Sequence, residues 1–158
     1  MAFLAFDSFE GLPEVAIDPG VSGWQPGSLT TSEETFLDLV REHGLFVDKI
    51  ETFKGFFNAS LTAALGNRLL AEGRKAAFIT VDCDLEESAI PIFPFIEPFL
   101  QEGTVIYIDD YFVGYRGNPT RGVSRIFHDY EKTSQFKFIQ HLQVGWTGRT
   151  FIAYRDRP

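Results

Sequence analysis

Two apolar, β-branched runs of the chain each end abruptly on aspartates. One run and its tail read ITVDCDLEES, the other reads TVIYIDDY, and a helix-like segment of about 15 residues separates them. Such runs are typical of buried parallel strands joined by a crossover helix. The carboxyl ends of neighbouring strands form the edge at which open α/β sheets bind ligands. The aspartates expected at this edge are Asp82, Asp84, Asp109 and Asp110.

Carboxylates gathered in this way constrain the chemistry of the edge. Like charges at close range repel one another unless protons or a cation neutralise them. Carboxylate oxygens are ligands that hard divalent cations such as Mg²⁺ prefer, so the pattern predicts a metal site. The residues alone leave a structural alternative open, in which the aspartates cap the following helices or pair with Lys and Arg side chains.

Strands and helices alternate along the rest of the chain. Apolar runs predict strands at Phe3–Phe6, Lys49–Phe53, Ala76–Val81, Thr104–Ile108, Phe136–Val144 and Thr150–Tyr154. Helical periodicity and capping residues predict helices beginning near Ser32, Ser60, Ser88 and Gly122. This order predicts a doubly wound α/β fold with a mostly parallel sheet and an antiparallel C-terminal hairpin. The long connection at 9–31 is expected to be a lid-like loop.

Length, charge and cysteine content limit the class of protein. With 158 residues and 44% apolar content, residues 1–158 are expected to form a single domain. The net charge of −8 argues against a nucleic-acid partner. One cysteine, Cys83, excludes an intrachain disulfide and fits a reducing compartment. The most apolar window, Ala89–Leu100, is too short to span a bilayer. We expect no signal peptide, because strand-like sequence without a basic n-region follows Met1. We therefore expect a cytoplasmic protein without a membrane partner.

A second motif, FDSFEGLPE at Phe6–Glu14, carries a family resemblance. It resembles the signature of the macrocin O-methyltransferase family, a branch of the class I S-adenosylmethionine-dependent methyltransferases. The resemblance continues in the order of that family and covers Phe3–Val123. The further matching segments are KGFF at Lys54–Phe57, VDCDLEES at Val81–Ser88 and IDDY at Ile108–Tyr111.

The resemblance implies a Rossmann-like enzyme that methylates a hydroxyl of a sugar or similar small polyol, with S-adenosylmethionine and Mg²⁺ as cofactors. By motif match, Asp84 falls on the position of the general base, and Asp7 falls where an acid receives the ribose hydroxyls of the cofactor. The implied metal ligands are Asp82, Asp109 and Asp110. The implied cofactor-binding residues are Asp7, Ser8, Lys54, Gly55, Phe56 and Asp82.

The chain departs from the family pattern at its start. Members begin with a strand and a glycine-rich turn before the FDSF strand, whereas here five residues separate Met1 from Asp7. That strand would be central, beside the strands of Asp7 and Asp82, so the resemblance implies a sheet without its first central strand. Exposed strand edges favour association, and a homodimer is one expectation.

Two other functions stay open on the sequence alone. The first is a catalytically impaired, truncated homologue that serves as a binding or dimerisation module. The second is a hydrolase or phosphoryl-transfer enzyme that uses the same aspartates with Mg²⁺. The sequence contains neither a P-loop nor a serine or histidine nucleophile motif, which disfavours the second function.

Overall fold

The computed structural model describes residues 1–14, 20–44, 46–113 and 120–156. The chain divides into two compact units, an N-terminal unit at Met1–Ser60 and a C-terminal unit at Leu61–Pro158. Each unit has its own sheet, with two strands in the first and four in the second.

Two parallel strands form the sheet of the N-terminal unit. Strand β1 (Phe3–Asp7) pairs with β2 (Ile50–Lys54), and the register places Asp7 opposite Lys54. Helix α1 (Glu33–His43) lies between them in the chain, and the short helix α2 (Phe57–Ser60) follows β2. The side chain of Ser32 caps α1 by accepting a hydrogen bond from the Thr35 N–H, as the sequence predicts.

The long connection after β1 is tied to itself near its two ends. The Leu12 N–H donates to the Ser28 carbonyl over 3.0 Å, and the Gly27 N–H donates to the Leu12 carbonyl over 2.8 Å. Gly11 has φ +82°, and a Cβ there would lie 2.5 Å from the Ser28 carbonyl oxygen, so only glycine fits. Residues 15–19 of this connection lie outside the described residues, and its lid-like role stays a prediction.

The sheet of the C-terminal unit mixes parallel and antiparallel strands in the order β3-β4-β6-β5. Strands β3 (Phe78–Val81) and β4 (Val105–Ile108) are parallel. Strands β5 (Lys137–Val144) and β6 (Gly148–Tyr154) form an antiparallel hairpin, and β6 also pairs with β4. The predicted combination of parallel strands with an antiparallel C-terminal hairpin is confirmed. Among the described residues, β1 pairs only with β2, and β3 only with β4.

Prolines divide the helix that the sequence predicts to begin near Ser88. Helix α3 (Ala63–Ala71) precedes β3, and α4 (Glu86–Ala89) follows it. After α4 the chain turns at Pro91 and continues as α5 (Ile92–Ile96) and a 3₁₀ turn. Proline lacks the N–H that an uninterrupted helix requires, which explains the separate short segments. The last helix, α6 (Gly122–Glu131), lies close to its predicted position.

Aromatic side chains fill the core between α5, α6 and one face of this sheet. Phe127 of α6 is completely buried. Its ring centroid lies 5.4 Å from that of Phe93 on α5, 5.3 Å from Phe138 on β5 and 4.4 Å from Phe151 on β6. Phe127 therefore joins two helices to two strands.

In the described part of the chain, no helix has both the length and the apolarity needed to cross a membrane.

Replacing Phe127 with alanine should destabilise the fold by about 3–5 kcal/mol, because the change removes a buried ring and leaves a cavity. Urea denaturation followed by far-UV circular dichroism measures the loss. Phe78→Ala on β3 is the matched control, because Phe78 is 60% exposed, and it should cost less than about 1 kcal/mol. Equal losses for the two variants would contradict this description of the core.

Candidate active site

Parallel pairing of β3 and β4 brings the predicted metal-binding aspartates together. The register places Val81 opposite Ile108, and the Asp109 N–H donates to the Val81 carbonyl over 3.0 Å. The aspartates that follow these strand ends are therefore neighbours across the pair. Asp82, Asp109 and Asp110 each offer a carboxylate oxygen, and these oxygens all lie within 4.8 Å of one another. We call these residues the carboxylate cluster.

A turn after β4 allows two consecutive aspartates to reach the same point. Neighbouring residues of an extended strand point to opposite faces of the sheet. Here the strand ends at Ile108, and the Val113 N–H donates to the Asp110 carbonyl over 3.1 Å. The Phe112 N–H donates to the Thr147 carbonyl over 3.0 Å, which ties this turn to the β5–β6 hairpin. The turn that the metal hypothesis requires is therefore present.

Asp84 lies beside the carboxylate cluster but not on an extended strand. Its backbone N–H donates to Oδ2 of Asp110 over 3.1 Å. Its φ is +58°, in the left-handed region, where a short polar side chain is tolerated at a cost of about 1 kcal/mol. From the sequence, Asp82 and Asp84 would share one side of a strand only if the chain stayed extended, and it does not. Asp84 instead reaches the cluster through its backbone.

Burial and repulsion from neighbouring charges make the carboxyl groups of Asp110 and Asp84 weaker acids than ordinary aspartates. Burial raises the pKa of Asp110 to about 7, and the charges of Asp84, Asp109 and Asp82 add to the shift. Burial, followed by the charges of Asp82 and Asp109, raises the pKa of Asp84 to about 6. A set of ionised carboxylate oxygens at this spacing is the donor set that Mg²⁺ or Ca²⁺ binds. The residues present therefore fit a hard divalent cation.

Cys83 is buried between Asp82 and Asp84 in the chain, and its exposed fraction is 6%. Burial raises the pKa of its thiol well above the ordinary value, and the charge of Asp110 adds to this effect. The thiolate form is the reactive one, so Cys83 is an unreactive core thiol.

Residues predicted to bind the cofactor lie at the carboxyl ends of β1 and β2. The Gly55 N–H donates to the Asp7 carbonyl over 2.9 Å, which extends the pairing of the two strands by one bond. The Asp7 carboxylate accepts a hydrogen bond from the Phe9 N–H. Ser8 is buried, and its hydroxyl donates to the Gly11 carbonyl over 2.9 Å. These contacts hold the FDSFEGLPE segment in a compact turn.

The segment after β2 contains the other residues of the N-terminal unit that are predicted to bind the cofactor. The Lys54 ammonium lies 3.5 Å from a carboxylate oxygen of Glu10. Gly55 has φ +137°, and its carbonyl accepts a hydrogen bond from the Ser60 hydroxyl over 3.1 Å. Phe56 is half-buried. The structure thus brings together Asp7, Ser8, Lys54, Gly55 and Phe56, while Asp82 lies at the sheet edge of the C-terminal unit. Their roles in cofactor binding stay predictions.

Sequence reasoning missed Tyr107. Its hydroxyl donates a hydrogen bond to Oδ1 of Asp109. This bond is the main reason why the pKa of Tyr107 rises to about 12, and partial burial adds to it. The spacing of Tyr107 and Asp109 could have indicated this contact, because residues two apart in a strand share one face of the sheet.

The C-terminal unit also contains a groove that neither the carboxylate cluster nor Asp84 lines. It has a volume of about 790 Å³, and residues of α6, β5 and β6 line it. Two of the cations that line it are paired with nearby acids, since Lys132 contacts Asp129 over 2.7 Å and Arg125 contacts both Asp129 and Glu86. Because these charges neutralise one another, the carboxylate cluster is the stronger candidate for chemistry.

The chain is similar to known O-methyltransferases. The model of the macrocin-O-methyltransferase (TylF) family matches residues 2–147. A curated relative from Streptomyces olivaceus is 32% identical over a 111-residue alignment that covers 66% of this chain and 40% of the relative. It is named 8-demethyl-8-(2,3-dimethoxy-alpha-L-rhamnosyl)-tetracenomycin-C 4'-O-methyltransferase. This chain thus spans less than half of that relative.

Solved structures show the fold. The O-methyltransferase NovP superposes with a TM-score of 0.71 at 22% identity, over 99% of this chain and 60% of NovP. TomG from Streptomyces achromogenes, an O-methyltransferase solved in complex with S-adenosylmethionine, superposes with a TM-score of 0.59 at 16% identity, over 98% of this chain and 73% of TomG. The predicted Rossmann-like fold is confirmed.

The raised pKa values predict how stability depends on pH without metal. The folded chain holds protons on Asp110 and Asp84 that the unfolded chain releases, so this contribution is present below about pH 4 and is lost as the pH rises towards 7. With EDTA present, Asp110→Asn should therefore be more stable than the wild type at pH 8, by at least about 1 kcal/mol. The difference should shrink towards pH 4. Urea denaturation across this range measures it.

Asp129→Asn is the control for this series. Asp129 is exposed, and its hydrogen bond with Lys132 lowers its pKa, so its removal should give no gain at pH 8. An Asp110→Asn variant that is no more stable than the wild type at pH 8 would show that the cluster carries no unfavourable charge.

Proposed function

The chain belongs to the macrocin-O-methyltransferase family, and we propose that it acts in S-adenosylmethionine-dependent, Mg²⁺-assisted methylation of a hydroxyl group on a sugar or similar small polyol. The carboxylate cluster is the observation that carries this proposal. Three carboxylates from the ends of two neighbouring strands converge within 4.8 Å. Such a group suits a metal that binds and orients an oxygen nucleophile.

Related proteins support the acceptor class and the cofactor. The name of the Streptomyces olivaceus relative describes methylation of a rhamnosyl-bearing tetracenomycin. TomG was solved with S-adenosylmethionine bound. A sugar hydroxyl of a natural product is therefore the acceptor that we propose for this chain, with S-adenosylmethionine as the methyl donor.

Asp82, Asp109 and Asp110 would hold the metal ion. When bound, Mg²⁺ supplies positive charge that lowers the pKa of a nearby acceptor hydroxyl and favours its deprotonated form. A bound cation would also stabilise the cluster, because it would reduce the repulsion between the carboxylates. The side chains of the turn after β4 would therefore be better ordered with metal than without it.

Asp84 is the general base in this proposal. Its carboxylate would accept the proton of the acceptor hydroxyl. Its pKa of about 6 makes it a stronger base than an ordinary aspartate, while leaving most of it ionised at neutral pH. The hydrogen bond from its N–H to Asp110 fixes the backbone beside the cluster.

Cofactor binding is proposed for the turn after β1 and the segment after β2. Asp7 would accept hydrogen bonds from the ribose hydroxyls, and its carboxylate is already oriented by the Phe9 N–H. Lys54, Gly55 and Phe56 would lie near the adenine, and Ser8 shapes the turn through its bond to Gly11. The motif match also gives Asp82 a part in cofactor binding.

Asp109→Asn should abolish the thermal stabilisation that Mg²⁺ gives to the chain, because one ionised ligand is lost from the cluster. Differential scanning fluorimetry with EDTA and with MgCl₂ measures the shift. Asp48→Asn, an exposed acid of the N-terminal unit, is the control and should keep the wild-type shift. A full Mg²⁺ shift in Asp109→Asn would remove Asp109 from the ligand set.

Asp84→Asn should bind S-adenosylhomocysteine as the wild type does but lower kcat by about 100-fold or more, because the amide cannot accept the proton. Calorimetry measures binding, and methylation of a rhamnosylated aglycone measures turnover. Wild-type turnover in Asp84→Asn would exclude it as the base. An absence of binding heat with wild-type protein at millimolar S-adenosylhomocysteine would instead favour a non-catalytic binding module.

A further inference from the structure

We propose that Tyr107 is a positioning residue of the metal site, and that its hydroxyl holds the Asp109 carboxylate in the orientation that binds the ion. This inference rests on the proposed metal function of the carboxylate cluster. It adds a residue outside the ligand set, and it adds the glycine that makes room for that residue.

The contact follows from the geometry of β4. Tyr107 and Asp109 are two residues apart, so their side chains leave the strand on the same side. The Tyr107 hydroxyl donates to Oδ1 of Asp109. A phenol keeps its proton at neutral pH and therefore remains a donor. One Asp109 oxygen is thereby engaged, and the rotation of the carboxylate is restricted before any ion arrives.

Gly148 on the neighbouring strand makes room for the Tyr107 ring. A Cβ at position 148 would lie 2.6 Å from both the hydroxyl oxygen and Cε2 of Tyr107, and 3.0 Å from Cζ. Real Cβ atoms essentially never approach other atoms so closely. Gly148 is not among the residues with positive φ, so its backbone does not require glycine. Glycine is required at position 148 because the ring of Tyr107 occupies the space that a side chain would need.

The position of the ring is therefore set from two directions. Pairing of β4 with β6 places Tyr107 opposite Thr150, which is two residues from Gly148 in the same strand. The ring lies against the glycine, and its hydroxyl meets Asp109. Partners of this kind orient metal-binding side chains, and their loss typically weakens metal affinity by about 10- to 100-fold.

Calorimetric titration of MgCl₂ into the full chain tests the inference. Tyr107→Phe removes only the hydroxyl and should weaken Mg²⁺ binding by about 10-fold. Its thermal midpoint in EDTA should stay close to that of the wild type, because the ring remains. Tyr154→Phe on β6 is the matched control and should bind Mg²⁺ as the wild type does. Tyr107→Phe with wild-type affinity would overturn the positioning role.

Gly148→Ala provides a second and independent variant. The new methyl group should displace the Tyr107 ring and weaken Mg²⁺ binding to a similar degree, although no ligand has changed. In the Tyr107→Phe background, Gly148→Ala should cause little further loss of Mg²⁺ affinity, because the hydrogen bond is already absent. Additive losses in the double variant would show that Gly148 acts by another route. Gly66→Ala is the control, since its Cβ would meet only Phe95 at an ordinary 3.6 Å.

The same titration separates this inference from the proposed function. A wild-type chain that takes up no Mg²⁺ would overturn the metal site and the positioning role together. A wild-type chain that binds Mg²⁺, with Tyr107→Phe and Gly148→Ala binding equally well, would leave the metal site in place and overturn only the role of Tyr107. Asp109→Asn completes the comparison, because it should lose binding beyond either variant.

Discussion

Repulsion between carboxylates at the ends of two neighbouring parallel strands is the constraint on which the proposed chemistry depends. The pairing of β3 with β4 fixes where the chain leaves the sheet, so Asp82 cannot move away from the turn that carries Asp109 and Asp110. Asp110 is buried, and burial raises its pKa to about 7, while Asp109 is half-buried and Asp82 is exposed. Either protons or a divalent cation must balance the charge, and a bound cation would neutralise the cluster without a proton on Asp110.

The apolar core makes this arrangement rigid. Ile106 and Ile108 of β4 are fully buried, and Phe127 packs α6 against β6, the strand that pairs with β4. A strand held in this way cannot slip to relieve the repulsion at its end. The Phe112–Thr147 hydrogen bond then fixes the turn after β4 against the hairpin. The fold thus maintains an unfavourable cluster of charges that a bound cation would stabilise.

Much of this could be predicted from the sequence, because the signals are local. The apolar runs before Asp82 and Asp109 indicate strands, and their parallel pairing follows from the helical segment between them. The left-handed backbone of Asp84 and the space beside Gly148 could not be predicted. Asp84 is held by a hydrogen bond to Asp110, a residue 26 positions away. Gly148 matters because of Tyr107 on another strand. Such features depend on tertiary contacts that no local pattern records.

The most direct test of the account is a crystal structure of the chain grown with Mn²⁺ as a substitute for Mg²⁺, with anomalous data. The account predicts one strong anomalous peak within about 2.5 Å of oxygens from Asp82, Asp109 and Asp110. The Tyr107 hydroxyl should still be bonded to the remaining oxygen of Asp109. Carboxylates that stay metal-free at millimolar Mn²⁺, or that turn towards Lys or Arg side chains, would contradict the central claim.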